Sequence, residues 1–194
     1  MIFATPLLLG SVLAGGATPP VPKTAAPDAC SFSGARDNLA ARPSPLDSAI
    51  ATLGNVQVKV CYGRPSARGR TVMGGLVPFG EPWRLGANEA ATLHVPVAVR
   101  FGDVSLKPGV YSLYAIPGAK TWQLVVNDSA TRWGIPINAA VRARDVGAVT
   151  AAVEPTDAPV ETLTMRWEPA GDGALALVTE WERTRVRVTV RRAP

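Results

Sequence analysis

Between Cys61 and Thr92 the chain reads CYGRPSARGRTVMGGLVPFGEPWRLGANEAAT, and this stretch holds most of the side chains able to do chemistry. Arg84, Asn88 and Glu89 fall in one short segment beside Trp83 and Gly86. A guanidinium forks onto a carboxylate or phosphate, an amide orients, and a carboxylate accepts, so this set can fix a small polar or anionic ligand. The same residues can serve instead as a structural tie: an Arg84–Glu89 pair would anchor a long loop to a sheet edge, with Asn88 bracing a turn. Arg64, Arg68 and Arg70 flank Pro65 and Gly69 and can either receive an anion or stand as solvated loop charges. Both readings are open at this level. The candidate ligand contacts are Arg64, Arg70, Trp83, Arg84, Asn88 and Glu89, joined from a second loop by Trp133.

Catalysis has less to stand on. The single histidine, His94, excludes a jelly-roll metal centre built on several imidazoles, and two cysteines make no zinc cluster, so neither metal nor cofactor is expected. Glu89 with His94 or Arg84 could run a hydrolase, and Glu89 with Glu180 could make a paired-carboxylate glycosidase. No G-x-S-x-G elbow accompanies them, and the residues weigh toward a binding module or a structural envelope protein over an enzyme. An indole can stack on a sugar ring, which brings in a glycan as ligand. Trp122, Trp167 and Trp181 lie on the apolar side of alternating runs and read as core, which leaves Trp83 and Trp133.

The elements that must hold these groups are strands. After Ser44 comes SPLDSAIATLGNVQVKVCY, two β runs around a Gly54-Asn55 turn. Val56, Val58, Val60 and Tyr62 share one face, and Gln57, Lys59 and Cys61 the other. Further runs follow as AATLHV, PVAVRF, DVSL-KPG-VYSLYAI read as a hairpin, TWQLVV, DVGAVTAAV, VETLTMRW, ALALVTEW and RVRVTV. Turns are expected at Asn127-Asp128, Pro169 to Gly173 and Glu182 to Thr184, and a helical turn or two over Ile137 to Arg144. About nine or ten short strands without crossover helices predict an all-β, antiparallel β-sandwich or jelly-roll-like domain over residues 44–194.

Hydrophobic residues make up 47% of the 194 and charged residues 18%, enough apolar surface for one substantial core. The formal charge of +5 raises nucleic acid or an anionic envelope surface as partner. Arg185, Arg187 and Arg191 alternate with Val186, Val188 and Val190, as an exposed sheet face does, and no nucleic-acid motif is present. Residues 1–17 read as a signal peptide too short to span a bilayer, which predicts export to the periplasm or beyond. Residues 18–43 read as a Pro/Ala-rich disordered leader. Export permits oxidation, and Cys30 and Cys61 could then pair across a loop of about 30 residues.

The segments RPSPLDS (42–48), YGRPSARGR (62–70), LVPFGEPWRLGANEAAT (76–92), LKPGVYSLYAIPG (106–118), TWQLVVN (121–127), RWG (132–134) and LVTEWERTRV (177–186) resemble, in order, the bacterial family known as domain of unknown function 2911. The resemblance runs over nearly the whole chain after the leader. It implies export, and it implies no particular activity. After RWG, members often continue with an aromatic and acidic segment, whereas this chain has Ile135, Pro136, Ile137 and Asn138. Cys30 and Cys61 are not part of the family pattern.

Overall fold

The computed structural model describes Met1, Cys30, Leu39 and residues 41–194. The signal-peptide reading and most of the leader reading therefore fall outside the described residues. β1 (Leu46–Leu53) and β2 (Val56–Gly63) form the expected hairpin around Gly54 and Asn55, with Leu53 opposite Val56. A two-residue loop needs a left-handed turn, which Gly54 supplies at φ 66°. β3 (Ala91–Val95) pairs with β2, and β6 (Gly109–Pro117) with β3. β7 (Thr121–Asn127) continues the sheet, followed by α1 (Ala139–Arg142), a single turn capped by Asn138.

Two long strands complete it. β8 (Asp145–Pro169) pairs first with β7 and then with β9 (Leu175–Arg192), and the end of β9 pairs with β4 (Val99–Phe101), itself followed by β5 (Val104–Leu106). The result is one nine-stranded antiparallel sheet of order β1-β2-β3-β6-β7-β8-β9-β4-β5. It folds over on itself like a sandwich and does not close into a barrel. Arg192 reaches the β1–β2 turn, donating to Asn55 Oδ1 at 2.7 Å, and the Trp167 indole of β8 donates to the Ala49 carbonyl of β1. Between the folded faces lie Val58, Val60, Leu93, Leu113, Leu124, Val126, Leu163, Leu177, Val186 and Val190, all essentially inaccessible.

Two local expectations are corrected. The Lys107-Pro108 turn does not close a hairpin: β5 and β6 lie far apart in the strand order, and the turn carries the chain from one end of the sheet to its middle. The tight hairpin is β4–β5, whose turn holds Gly102 at φ 58°. The turn expected at Glu182 to Thr184 is a bend inside β9: Glu182 takes φ 56°, while β8 opposite shifts register between Pro155, Val160 and Thr164. Two pairs of short runs are thereby fused into β8 and β9. Lys59 and Cys61, on the face of β2 opposite Val58 and Val60, are buried as well, so both faces of this strand are covered there. Cys61 is disulfide-bonded to Cys30 with Cα atoms 5.8 Å apart, and it adjoins His94 of β3.

Candidate functional site

The connection from β2 to β3 is long and has little secondary structure, yet it is bound to the sheet at several points. Ala67 N donates to Glu161 O and Leu163 N to Pro65 O, which hold its first part on β8. Trp83 and Ala115 of β6 exchange both backbone bonds, at 2.7 and 2.8 Å. Ala87 N donates to Gly63 O, Gly134 N to Asn88 O, and Ala90 N to Arg132 O. Gly63 permits the closest of these approaches, since a Cβ there would stand 1.9 Å from the Ala87 carbonyl oxygen. Val72, Val77 and Leu85 bury the apolar side of the loop, so the segment is a structured part of the domain.

Under this loop lies a cavity of about 270 Å³. Of the seven residues singled out from the sequence, Arg70, Trp83 and Arg84 line it, together with Ser44, Gly86 and Trp181. Trp83 stacks on Trp181 with ring centroids 5.8 Å apart and meets Trp122 edge-on at 5.7 Å, so an indole cluster rooted in the core forms one wall. The Arg70 guanidinium is held by the Ala67 and Ser66 carbonyls, both at 2.9 Å. It also lines a neighbouring cavity of about 280 Å³ whose other charged residues are Glu161 and Glu182. Both carboxylates already accept backbone N–H groups, Glu161 from Arg68 and Glu182 from Val72 and Met73.

Arg84 is different. Its Nε is buried and has no hydrogen-bond acceptor among the described residues, and burial pulls the guanidinium below its ordinary pKa with no described carboxylate opposing that pull. The expected Arg84–Glu89 pair does not form. Glu89, 5% exposed, is held instead by both oxygens on Arg42 Nη1, at 3.0 and 2.8 Å. Asn88, in the left-handed region at φ 64°, donates from Nδ2 to Ser44 O and so braces the entry of the chain into β1. Arg64 donates to Leu163 O and Thr164 Oγ1 of β8 and pairs with Asp47 at 3.3 Å. Trp133 is 44% exposed and faces none of these cavity walls. Thus Arg64, Asn88 and Glu89 act as ties of the loop, and Arg84 is the member of the set without one.

Two residues that the sequence reading passed over matter here. Arg42, assigned to the leader, is the partner of Glu89; the resemblance segment RPSPLDS begins at this residue and was the available signal. Arg132, from RWG, donates from Nη1 to the carbonyls of Trp133 and Gly134, while its Nε and Nη2 are buried without acceptors. Burial lowers its pKa despite the opposing influence of Tyr114 and Asp145. Close by, Tyr114 donates to Asp145 Oδ2 at 2.7 Å, and burial first and then this carboxylate push the phenol up to about 12. His94 Nε2 lies 3.0 Å from Thr92 Oγ1 and 3.6 Å from Cys61 Sγ, whereas Glu180 is gripped by Arg166 and Arg185. Neither carboxylate of the hydrolase readings is poised as a proton-transfer partner of His94 among the described residues.

Fold and site together define an antiparallel-sheet domain with one structured cationic loop over a small cavity. The chain belongs to the DUF2911 family of proteins of unknown function, whose pattern matches residues 44–190. Comparison with curated proteins finds no match, and neither does comparison with solved structures. Among the described residues no helix is long and apolar enough to cross a membrane.

Proposed function

We propose that the domain is a binding module for a small anionic ligand, taken up in the cavity under the β2–β3 loop with Arg84 as its charge anchor. The observation that carries this reading is the Arg84 guanidinium, partly desolvated, lining a cavity, and lacking any acceptor for its buried Nε. Burying a cation without a partner is costly, and proteins tolerate such a group where an anion completes it. Arg70 adds a second positive charge on the same wall, and the Trp83–Trp181 pair gives an apolar face for the rest of the ligand. The cavity has room for a small carboxylate or phosphate ester. One face of Trp83 is already covered by Trp181, so the indole is better suited to packing on a ligand's edge than to serving as an open sugar platform. The Cys30–Cys61 bridge supports a place for the protein in an oxidising compartment, periplasmic or extracellular.

A melting screen with phosphate and small mono- and dicarboxylates tests the reading, because a ligand that binds only the native state must raise the midpoint. At least one anion is expected to raise it for the parent and to leave Arg84→Gln unmoved. If no anion shifts the parent, or the shift persists in Arg84→Gln, the assignment fails.

A further inference from the structure

We infer that the Cys30–Cys61 bridge is a site of reversible thiolation: a low-molecular-weight thiol takes Cys30 as a mixed disulfide and expels Cys61 as a thiolate received by His94 and Thr92. The two sulfurs differ in their surroundings. Cys61 is 3% exposed, whereas Cys30 is partly exposed, so an external thiolate meets Cys30 first. The bridge lies one strand in from the β1 edge of the sheet, and Ser48, the register partner of Cys61 on β1, is itself exposed. The position of the expelled sulfur is furnished with donors. His94 Nε2 stands 3.6 Å from Cys61 Sγ and 3.0 Å from Thr92 Oγ1, and Thr92 is the register partner of Cys61 on β3. Lys59, two residues back on the same face of β2, is the register partner of His94.

In the step itself the attacking thiolate sulfur bonds to Cys30 Sγ, the Cys30–Cys61 bond breaks, and its electron pair stays on Cys61 Sγ. Attack by that sulfur on the mixed disulfide reverses the step and releases the thiol, so neither oxidant nor reductant is consumed. A thiolate expelled into a buried position is costly without donors, and burial alone would make Cys61 a poor leaving group. Here the His94 Nε2–H can donate to the sulfur, the Thr92 hydroxyl can turn to it, and Lys59 adds a basic group to the same face. The other described neighbours of the sulfur in the register are Ser48 on β1 and, beyond Thr92, Ser112 on β6, so no carboxylate among them opposes a negative sulfur. Access and leaving-group stability therefore select the same direction of attack. Opening the bridge detaches Cys30 from β2 at the start of the β2–β3 loop, while Arg42 still holds Glu89 at the loop's other end. The inference is independent of the anion reading of Arg84.

The test treats the folded, oxidised protein briefly with glutathione at neutral pH, quenches in acid, alkylates free thiols under the same acid conditions and maps the peptides by mass. Glutathione should sit on Cys30 with the alkyl group on Cys61, in at least about tenfold excess over the reverse arrangement, because the better-stabilised thiolate is the one that leaves. In the fully reduced, folded protein, ultraviolet thiolate absorbance should persist well below the ordinary thiol pKa of about 8.5 and should lose that persistence in His94→Gln. The same variant should form the mixed disulfide about tenfold more slowly, since the expelled sulfur then leaves as a weaker acid. Glutathione on Cys61, on both sulfurs equally, or on neither while the urea-unfolded chain is readily thiolated overturns the proposal, as does His94→Gln reacting at the parent's rate. The mapping uses the parent alone, so a poorly folded His94→Gln would not shield the proposal.

Discussion

Arg84 and Arg42 make opposite demands on the residues around them. Arg42 neutralises a carboxylate that is almost fully buried, and its own side chain is only 16% exposed. Arg42→Ala removes the bidentate partner of Glu89 and is expected to cost about 3 kcal/mol, the range for breaking a buried pair. Arg84 neutralises no carboxylate among the described residues. Arg84→Met keeps the packing on Gly134 while removing an unpaired charge, so it should change stability by less than about 1 kcal/mol or raise it slightly. Urea melts of both variants without added anion check the contrast. A loss at Arg84→Met as large as that at Arg42→Ala would make Arg84 a structural cation and not a ligand anchor. The candidate site was legible in part for the same reason. Residue type and spacing pointed to Arg70, Trp83 and Arg84, but which carboxylate would meet which guanidinium depends on contacts 47 residues apart, as between Arg42 and Glu89. Local sequence holds no record of such a pairing.

Among the elements, period-two alternation over Val56 to Tyr62 and the Gly54 turn sufficed to read β1 and β2, and the apolar runs marked β3, β6 and β7. What escaped was long-range. Glu182 and its polar neighbours look like a turn, yet the carboxylate of Glu182 is held by the Val72 and Met73 N–H groups, and Thr156 Oγ1 donates to its carbonyl, so the chain bends and continues as strand. The same limit applied to Lys107-Pro108, where turn chemistry was present but the partner strand lay elsewhere. The β2 edge of the site has one covalent tie, Cys61 to Cys30 at a sequence separation of 31. Closing a loop of that length should stabilise by on the order of 3 to 4 kcal/mol through the unfolded chain. The Cys30→Ser, Cys61→Ser double variant is expected to lose that amount in denaturant melts under oxidising conditions. An unchanged midpoint would show that the loop's backbone bonds to β8 and β6 hold this region without the bridge.

At the scale of the whole molecule, β8 and β9 carry a chain of ion pairs, Glu154–Arg187–Glu168–Arg166–Glu180–Arg185, and the neighbouring β6, β7 and the start of β8 carry the Tyr114–Asp145–Asn127 cluster. Each cluster contributes to how stability depends on pH, one on the acid side and one on the alkaline side. Burial raises the Glu180 pKa, but the hydrogen bonds from Arg166 and Arg185 outweigh it and hold the carboxyl below its ordinary value. The unfolded chain then binds a proton more readily than the native one, so the contribution of Glu180 is present above the usual glutamate range and lost as pH falls through and below it. For Tyr114 the sign reverses. Its phenol is raised from 10.0 to about 12, so the native state keeps a proton that the unfolded chain gives up first. The stabilisation is complete below pH 10 and disappears as pH rises to about 12. Tyr62, raised chiefly by burial, adds to the same alkaline slope. Stability measured by urea melts against pH should therefore form a plateau through neutrality, with Glu180→Gln flattening the acid side and Tyr114→Phe flattening the alkaline side. Phenolate absorbance gives an independent reading. A folded protein in which Tyr114 and Tyr62 ionise near pH 10 would refute the alkaline half, and a Glu180→Gln variant with an unchanged acid slope would refute the other.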